Sequence, residues 1–128
     1  MRTEPALTIT DTSGLWLARH RAAQRARYVF DDDRVSDVAL VVSELSTNAL
    51  QHGAGGDVTI RLETEPDGMT VSVAAASTAL PVVVPDDVPH YRPSGRGLRI
   101  VTALVDSLNV TASGSEVEVV CRFEASVA

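Results

Sequence analysis

Two short groups of residues in this sequence have types and spacings that chemistry can use. The first is Glu44, Asn48 and His52, set at i, i+4 and i+8, so that on a helix turning by about 100° per residue they fall in one polar row. A carboxylate and an amide one turn apart can act together. The amide oxygen can hold a magnesium ion that bridges phosphates, while the carboxylate orients or deprotonates a hydroxyl. The second group is Gly95-Arg96-Gly97, placed directly before an apolar helical pattern. Glycines let the backbone approach a polyphosphate, free amides at a helix N-terminus point toward the anion, and Arg96 adds a charge-assisted contact. Taken singly, each group also has a bland reading: Glu and Asn stand a turn apart in many helices, and a two-glycine turn serves as a plain loop-to-helix junction.

The elements that must position these groups follow from the apolar pattern. Residues 6–10 alternate at period two and meet Asp11-Thr12-Ser13-Gly14, which reads as a short strand ending at a helix cap. A helix is expected from Leu15 to Phe30, with Leu15, Ala18, Ala22, Ala26 and Val29 on one face and Arg19, Arg21, Arg25 and Arg27 on others. That basic stripe is either a docking surface for an acidic partner or a solvated helix face. Asp31-Asp32-Asp33 caps a second helix that runs to His52 and ends at Gly53; Val38, Val41, Val42, Leu45 and Ala49 form its sheet-facing arc. Gly55-Gly56 opens a turn before strand 58–63, and Pro66-Asp67-Gly68 separates it from strand 69–73.

Prolines 81, 85, 89 and 93 exclude a regular helix or central strand from 74–94, so this stretch reads as a long loop, a lid over a ligand or a plain surface excursion. Leu98, Ile100, Val101, Leu104, Val105 and Leu108 have helical spacing, and a terminal hairpin of 109–112 and 117–123 turns at Ser113-Gly114-Ser115. The order strand, helix, helix, hairpin, loop, helix, hairpin implies an α+β fold, a two-layer α/β sandwich with a mainly antiparallel mixed sheet and helices on one face. His20 reads as solvated, His90 and Tyr91 as lid residues within reach of a ligand, and Trp16 as a core or dimer-contact residue.

The 128 residues, 45% hydrophobic and 22% charged, are expected to form one domain over 1–128 with its own core. A net charge of -6 argues against nucleic-acid or anionic-membrane partners and for protein partners. Cys121 has no second cysteine for a disulfide or metal site, and no apolar run has the length of a signal peptide or membrane span, so a cytoplasmic location is expected.

The segment from Glu44 through Leu45-Ser46-Thr47-Asn48-Ala49-Leu50-Gln51-His52 to Gly53 closely resembles the N box of the anti-sigma factor serine/threonine kinases, a branch of the GHKL superfamily with the Bergerat ATPase fold. Ser94-Gly95-Arg96-Gly97-Leu98-Arg99-Ile100-Val101 is similar to that family's second glycine box. Ser77-Thr78-Ala79-Leu80-Pro81 resembles the segment after its first box, and Gly114-Ser115-Glu116-Val117 resembles its last box with serine in the usual threonine position. The resemblance implies a site for ATP and Mg2+ in which Asn48 coordinates the metal, Glu44 is general base toward a protein serine, and the turn from Gly95 to Leu98 holds phosphates. Thr47, His52, Arg96 and Ser115 would line the cleft. The implied partners are a sigma factor and an anti-anti-sigma factor, and a homodimer is left open.

One departure from the family pattern bears on the base. Where the family ends the strand after the hairpin with an aspartate that accepts a hydrogen bond from the adenine amine, this chain has Val73-Ala74-Ala75-Ala76-Ser77, with Ala75 in the aspartate's place. Losing a hydrogen bond to a charged group, worth about 1.5 to 3 kcal/mol, weakens binding roughly tenfold to a hundredfold or more. Two functions therefore stand open: an ATP-dependent kinase and anti-sigma factor, or a catalytically silent module of the same fold that sequesters a sigma factor or antagonist.

Overall fold

A computed structural model describes residues 2–3, 6–52, 56–76, 95–113 and 115–125, with backbone alone at 2–3, 52, 95–98 and 113. Of the loop expected over 74–94, residues 74–76 belong instead to the strand before it, and 77–94, with His90, Tyr91 and the Ser77–Pro81 segment, lie outside the described residues, as do Gly53 and Gly114.

The helices begin where side chains can satisfy their free amides. Asp11 accepts hydrogen bonds from the Ser13 amide at 2.9 Å and from its hydroxyl, which hold its carboxyl below the usual range, and the 3-10 turn Thr12–Gly14 leads into α1, Leu15–Ala26. The helix expected to reach Phe30 stops at Ala26. Residues 27–30 close instead as a turn, with Val29 N and Phe30 N both bonded to Ala26 O, and this reverses the chain toward the next cap. There Asp31 Oδ1 accepts from Arg34 N at 3.0 Å, and Asp32 and Asp33 place negative charge in the first turn of α2, Asp32–His52.

The strands are β1 Arg2–Thr3, β2 Leu7–Ile9, β3 Val58–Glu65, β4 Gly68–Ala76, β5 Ser107–Ser113 and β6 Glu116–Glu124. They form a six-stranded sheet in the order β1-β3-β4-β6-β5, with β2 also on β3, and every described pairing is antiparallel. The helical spacing that extended through Leu108 breaks earlier. The third helix, α3, spans Gly95–Leu104, and Leu108 belongs to β5, paired with Cys121. A strand presents alternate residues to one face, so Leu108 meets an apolar neighbour in either conformation.

Alternation sets the inner face. Val58, Ile60, Leu62 and Thr64 of β3, Met69, Val71 and Val73 of β4, and Cys121 and Phe123 of β6 are buried against Val38, Val41, Val42 and Leu45 of α2 and Ala18, Ala22 and Ala26 of α1. Each large side chain fully buried this way contributes about 1.5–3 kcal/mol. Burial pushes the Cys121 thiol up to about 12. Two expectations about α1 are corrected. Arg25 is buried, its Nη2 3.5 Å from Thr64 Oγ1 and its guanidinium 5.1 Å from the Tyr28 ring centroid. Trp16, expected in the core or at a dimer contact, is 63% exposed and stacks on His20, which excludes the core and leaves the dimer contact open.

The register gives the sandwich two distinct ends. At one, Val58, Ala75, Val117 and Ala112 stand side by side; at the other, Glu65, Gly68 and Glu124 do. The second end is tightly closed. A Cβ on Gly68 would press into the carbonyl oxygen of Phe123 and lie 2.6 Å from Arg122 Nη2, so the hairpin needs glycine there. Arg122 donates to Glu65 Oε1 at 2.6 Å and Asp67 Oδ1 at 3.0 Å. Among the described residues no helix is long and apolar enough to cross a membrane.

Candidate functional site

On α2, residues spaced alternately by three and four fall on one stripe, and Arg34, Asp37, Val41, Glu44 and Asn48 are such a set. The stripe flanks the sheet-facing arc. Its first members grip α3: Arg34 Nη1 donates to Leu104 O and to Asp37 Oδ2 at 3.1 Å, and Nη2 donates to Asp106 Oδ2 at 2.9 Å. The Arg34 guanidinium also lies 4.9 Å from the centroid of the Phe123 ring.

This grip fixes the direction of α3. Its last residue is held beside the start of α2, the two helices pack together, and α3 runs back along the stripe. Its nine residue steps cover about 14 Å, and the ten steps from Arg34 to Glu44 cover about 15 Å, so an α3 aligned with α2 would open at about the level of Glu44. Asn48 lies one turn further on. The link from His52 leads to Val58, and Ala75 pairs with both Val58 and Val117, so the end of α2 and the end of β4 share one end of the sandwich. The β5–β6 turn with Ser115 closes there too, between Ser113 and Glu116, and Ser115 is exposed.

The side chains of this end are half-buried: Glu44, Thr47, Asn48 and Ala75 all lie between core and solvent. Ala75 continues the inner-face series of Val71 and Val73 and packs on the rim of the core, where a longer side chain would point toward the helix layer. Thr47 lies off the stripe, rotated about 100° from Asn48 away from the sheet. The side chains of His52, Arg96 and Leu98 lie outside the described residues, as do any of Gly95 and Gly97 beyond their helical backbone.

Asn48 Oδ1 is buried and has no hydrogen-bond partner among the described residues. Leaving a buried acceptor unsatisfied costs about 1–3 kcal/mol, so such an atom is an incomplete contact that a cation or donor would complete. An amide oxygen suits a hard divalent cation, so the residue present fits magnesium. No cluster of three or more His, Cys, Asp or Glu side chains able to hold a metal occurs among the described residues, so a cation here would depend on further oxygens from a ligand such as phosphate. The sequence did not single out Ser46, which is fully buried with its Oγ unpartnered among the described residues. Its place on the opposite flank of the arc from Asn48 is the signal that separates it from the site.

The profile of the histidine kinase-like ATPase domain matches residues 10–121. No curated protein matches the chain. Among solved structures, the RsbU and RsbW domains of Rv1364c from Mycobacterium tuberculosis superpose with a TM-score of 0.69 at 18% identity, over 98% of this chain and 34% of that one. The catalytic domain of the histidine kinase ThkA gives a TM-score of 0.60 at 14% identity, over 95% of this chain and 97% of that one. The histidine kinase domain of the blue-light activated histidine kinase EL346 from Erythrobacter litoralis gives 0.55 at 31% identity, over 70% of this chain and 47% of that one. This chain thus spans about a third of the first of these structures and about half of the last, and the likeness to the first two shows a shared fold.

Proposed function

The chain belongs to the histidine kinase-like ATPase domain family, and from that premise we propose that residues 1–128 form one ATP-binding domain, a protein serine/threonine kinase that is also an anti-sigma factor. The observation that carries the proposal is the buried Oδ1 of Asn48, without a hydrogen-bond partner among the described residues, on the stripe whose first members hold the end of α3. Bound MgATP supplies the transferable phosphoryl group and the positive charge that balances it. Asn48 would hold the cation through Oδ1, and the backbone amides opening α3 from Gly95 to Leu98 would hold phosphate oxygens. Glu44, one turn before Asn48, would accept the proton of an incoming serine hydroxyl whose oxygen takes the phosphoryl group, with ADP as the leaving group. Of the residues expected at the cleft, His52, Arg96 and Ser115 would line it, while Thr47 turns away from the sheet.

The finer part of this reading, the anti-sigma activity in the cytoplasm with a sigma factor and an anti-anti-sigma factor as partners, rests on the four matching boxes. The fold shared with a structure containing an RsbW domain is consistent with it. The second reading, a silent module that binds protein without turning over ATP, is favoured by one residue: Ala75 offers a methyl group where a carboxylate would read adenine.

Calorimetric titration with MgATP separates the two. On the kinase reading the wild type saturates at or below millimolar ATP, Asn48→Ala abolishes saturation, and Ala75→Asp tightens binding roughly tenfold to a hundredfold. Absence of binding in the wild type, with binding gained in Ala75→Asp, establishes the silent module. Absence of binding in both overturns the nucleotide site.

A further inference from the structure

The end of the sandwich that holds Asn48 is polar on its helix side and apolar on its sheet side. The helix side carries Glu44 and Asn48, whose buried Oδ1 has no hydrogen-bond partner among the described residues. On the sheet side the register sets Val58, Ala75, Val117 and Ala112 in one row across β3, β4, β6 and β5. Alternation puts all four on the face toward the helices, next to a second row of Ile60, Val73, Val119 and Val110. Neither row holds a side chain able to donate or accept a hydrogen bond. Val58 is buried, Ala75 and Val117 are half-buried and Ala112 is exposed, so the first row passes from core to rim as an apolar shelf about 14 Å wide.

Resting on the nucleotide site proposed above, we infer that this shelf carries the base without telling adenine from guanine, so that the substrate class is the purine nucleoside triphosphates rather than ATP alone. The polar helix side and the start of α3 would take the cation and the phosphates, which leaves the base to the sheet side. The two purines differ in a way that such a shelf does not sense. At the same ring position adenine presents a donor amine and guanine an acceptor oxygen, so a carboxylate at position 75 would bond the first and repel the second. The Ala75 methyl does neither. Each base then buries one polar group without a partner, and two penalties of like size cancel in the ratio of affinities. A site that hydrogen-bonds its substrate rejects an analogue lacking the group by about ten-thousandfold or more, and an apolar wall has no such means. What Ala75 and Val117 can sense is ring size, since a pyrimidine covers less of the shelf than a purine does.

Calorimetric titration of the full chain with the magnesium complexes of ATP, GTP and CTP is the test. MgATP and MgGTP are expected to bind within about threefold of each other, and MgCTP about tenfold more weakly. In Ala75→Asp the preference for ATP over GTP is expected to open to roughly tenfold to a hundredfold. Ala75→Asn, whose amide both donates and accepts, should tighten both purines and keep their ratio within about threefold. Far-ultraviolet circular dichroism checks that both variants keep the fold. A wild-type preference for ATP over GTP of about tenfold or more overturns the inference and leaves the nucleotide site standing. Equal binding of all three nucleotides does the same, because it takes the base off the shelf, and so does an Ala75→Asp variant with the wild-type ratio. Absence of binding by all three in the wild type overturns the nucleotide site itself and the inference with it.

Discussion

At the Arg34 end of α2, a guanidinium has oxygen partners on Asp37, Leu104 and Asp106 and an aromatic ring beneath it. Fourteen residues along the same stripe, the Asn48 amide oxygen is buried and has none among the described residues. One helix thus ends in a completed polar network and in an incomplete one. The difference follows from what each end has to do. The Arg34 end fixes where α3 and the β5–β6 hairpin sit, and a folded chain gains by satisfying every group there. The Asn48 end keeps an acceptor out of water at some cost to stability, which is tolerable where a ligand supplies the missing contact.

Four measurements break or sharpen this contrast. Truncating the ring on which Arg34 rests should have the largest effect: Phe123→Ala is expected to cost about 3–5 kcal/mol in urea unfolding, because the ring is fully buried. Arg34→Met keeps the stem but strands Leu104 O and leaves the exposed Asp106 carboxylate with the Glu124 amide alone, and should cost about 1–3 kcal/mol. A loss under about 0.5 kcal/mol would show that the network at this end does not hold α3.

Third, the buried thiol gives an alkaline signature. The unfolded Cys121 ionises near its ordinary 9.0 while the folded one holds its proton to about 12, so its contribution is full below pH 9 and is lost as pH rises toward 12. Between those values the wild type should lose about 1.4 kcal/mol per pH unit more than Cys121→Ala does. The smallest change in stability is expected at the other end. Asn48→Ala removes an unsatisfied acceptor and improves helix propensity, so the apo protein should be unchanged or gain about 1 kcal/mol while magnesium-dependent nucleotide binding disappears. A clear destabilisation of the apo form would mean that Oδ1 already has a structural partner.

The helix boundaries at Asp31 and the β3–β4 hairpin at Pro66-Asp67-Gly68 were legible because caps and turn residues act locally. The polar row of Glu44 and Asn48 was legible for the same reason, through helical spacing alone. What the sequence concealed is non-local. Arg34 looks like any charged residue in a first turn, and its grip on Leu104, seventy residues away, appears only in three dimensions. Leu108 satisfies helical and strand patterns alike, and only its pairing with Cys121 decides. β1 is two residues long and has no periodicity to read. Arg25 carries a charge that argues for solvent, yet its long stem and the Thr64 hydroxyl let it lie buried.

The continuity of α2 has a mechanical consequence. With no glycine or proline between Asp32 and His52, it is a stiff rod, and Arg34 sits near its fulcrum with Asn48 about 21 Å away. A tilt of about 3° at the anchored end swings the amide by about 1 Å, and on the proposed kinase function such a misplacement would slow phosphoryl transfer about a hundredfold. Substitutions beneath the anchor, at Phe123 or Asp106, therefore act on the far pocket as a lever acts on its load.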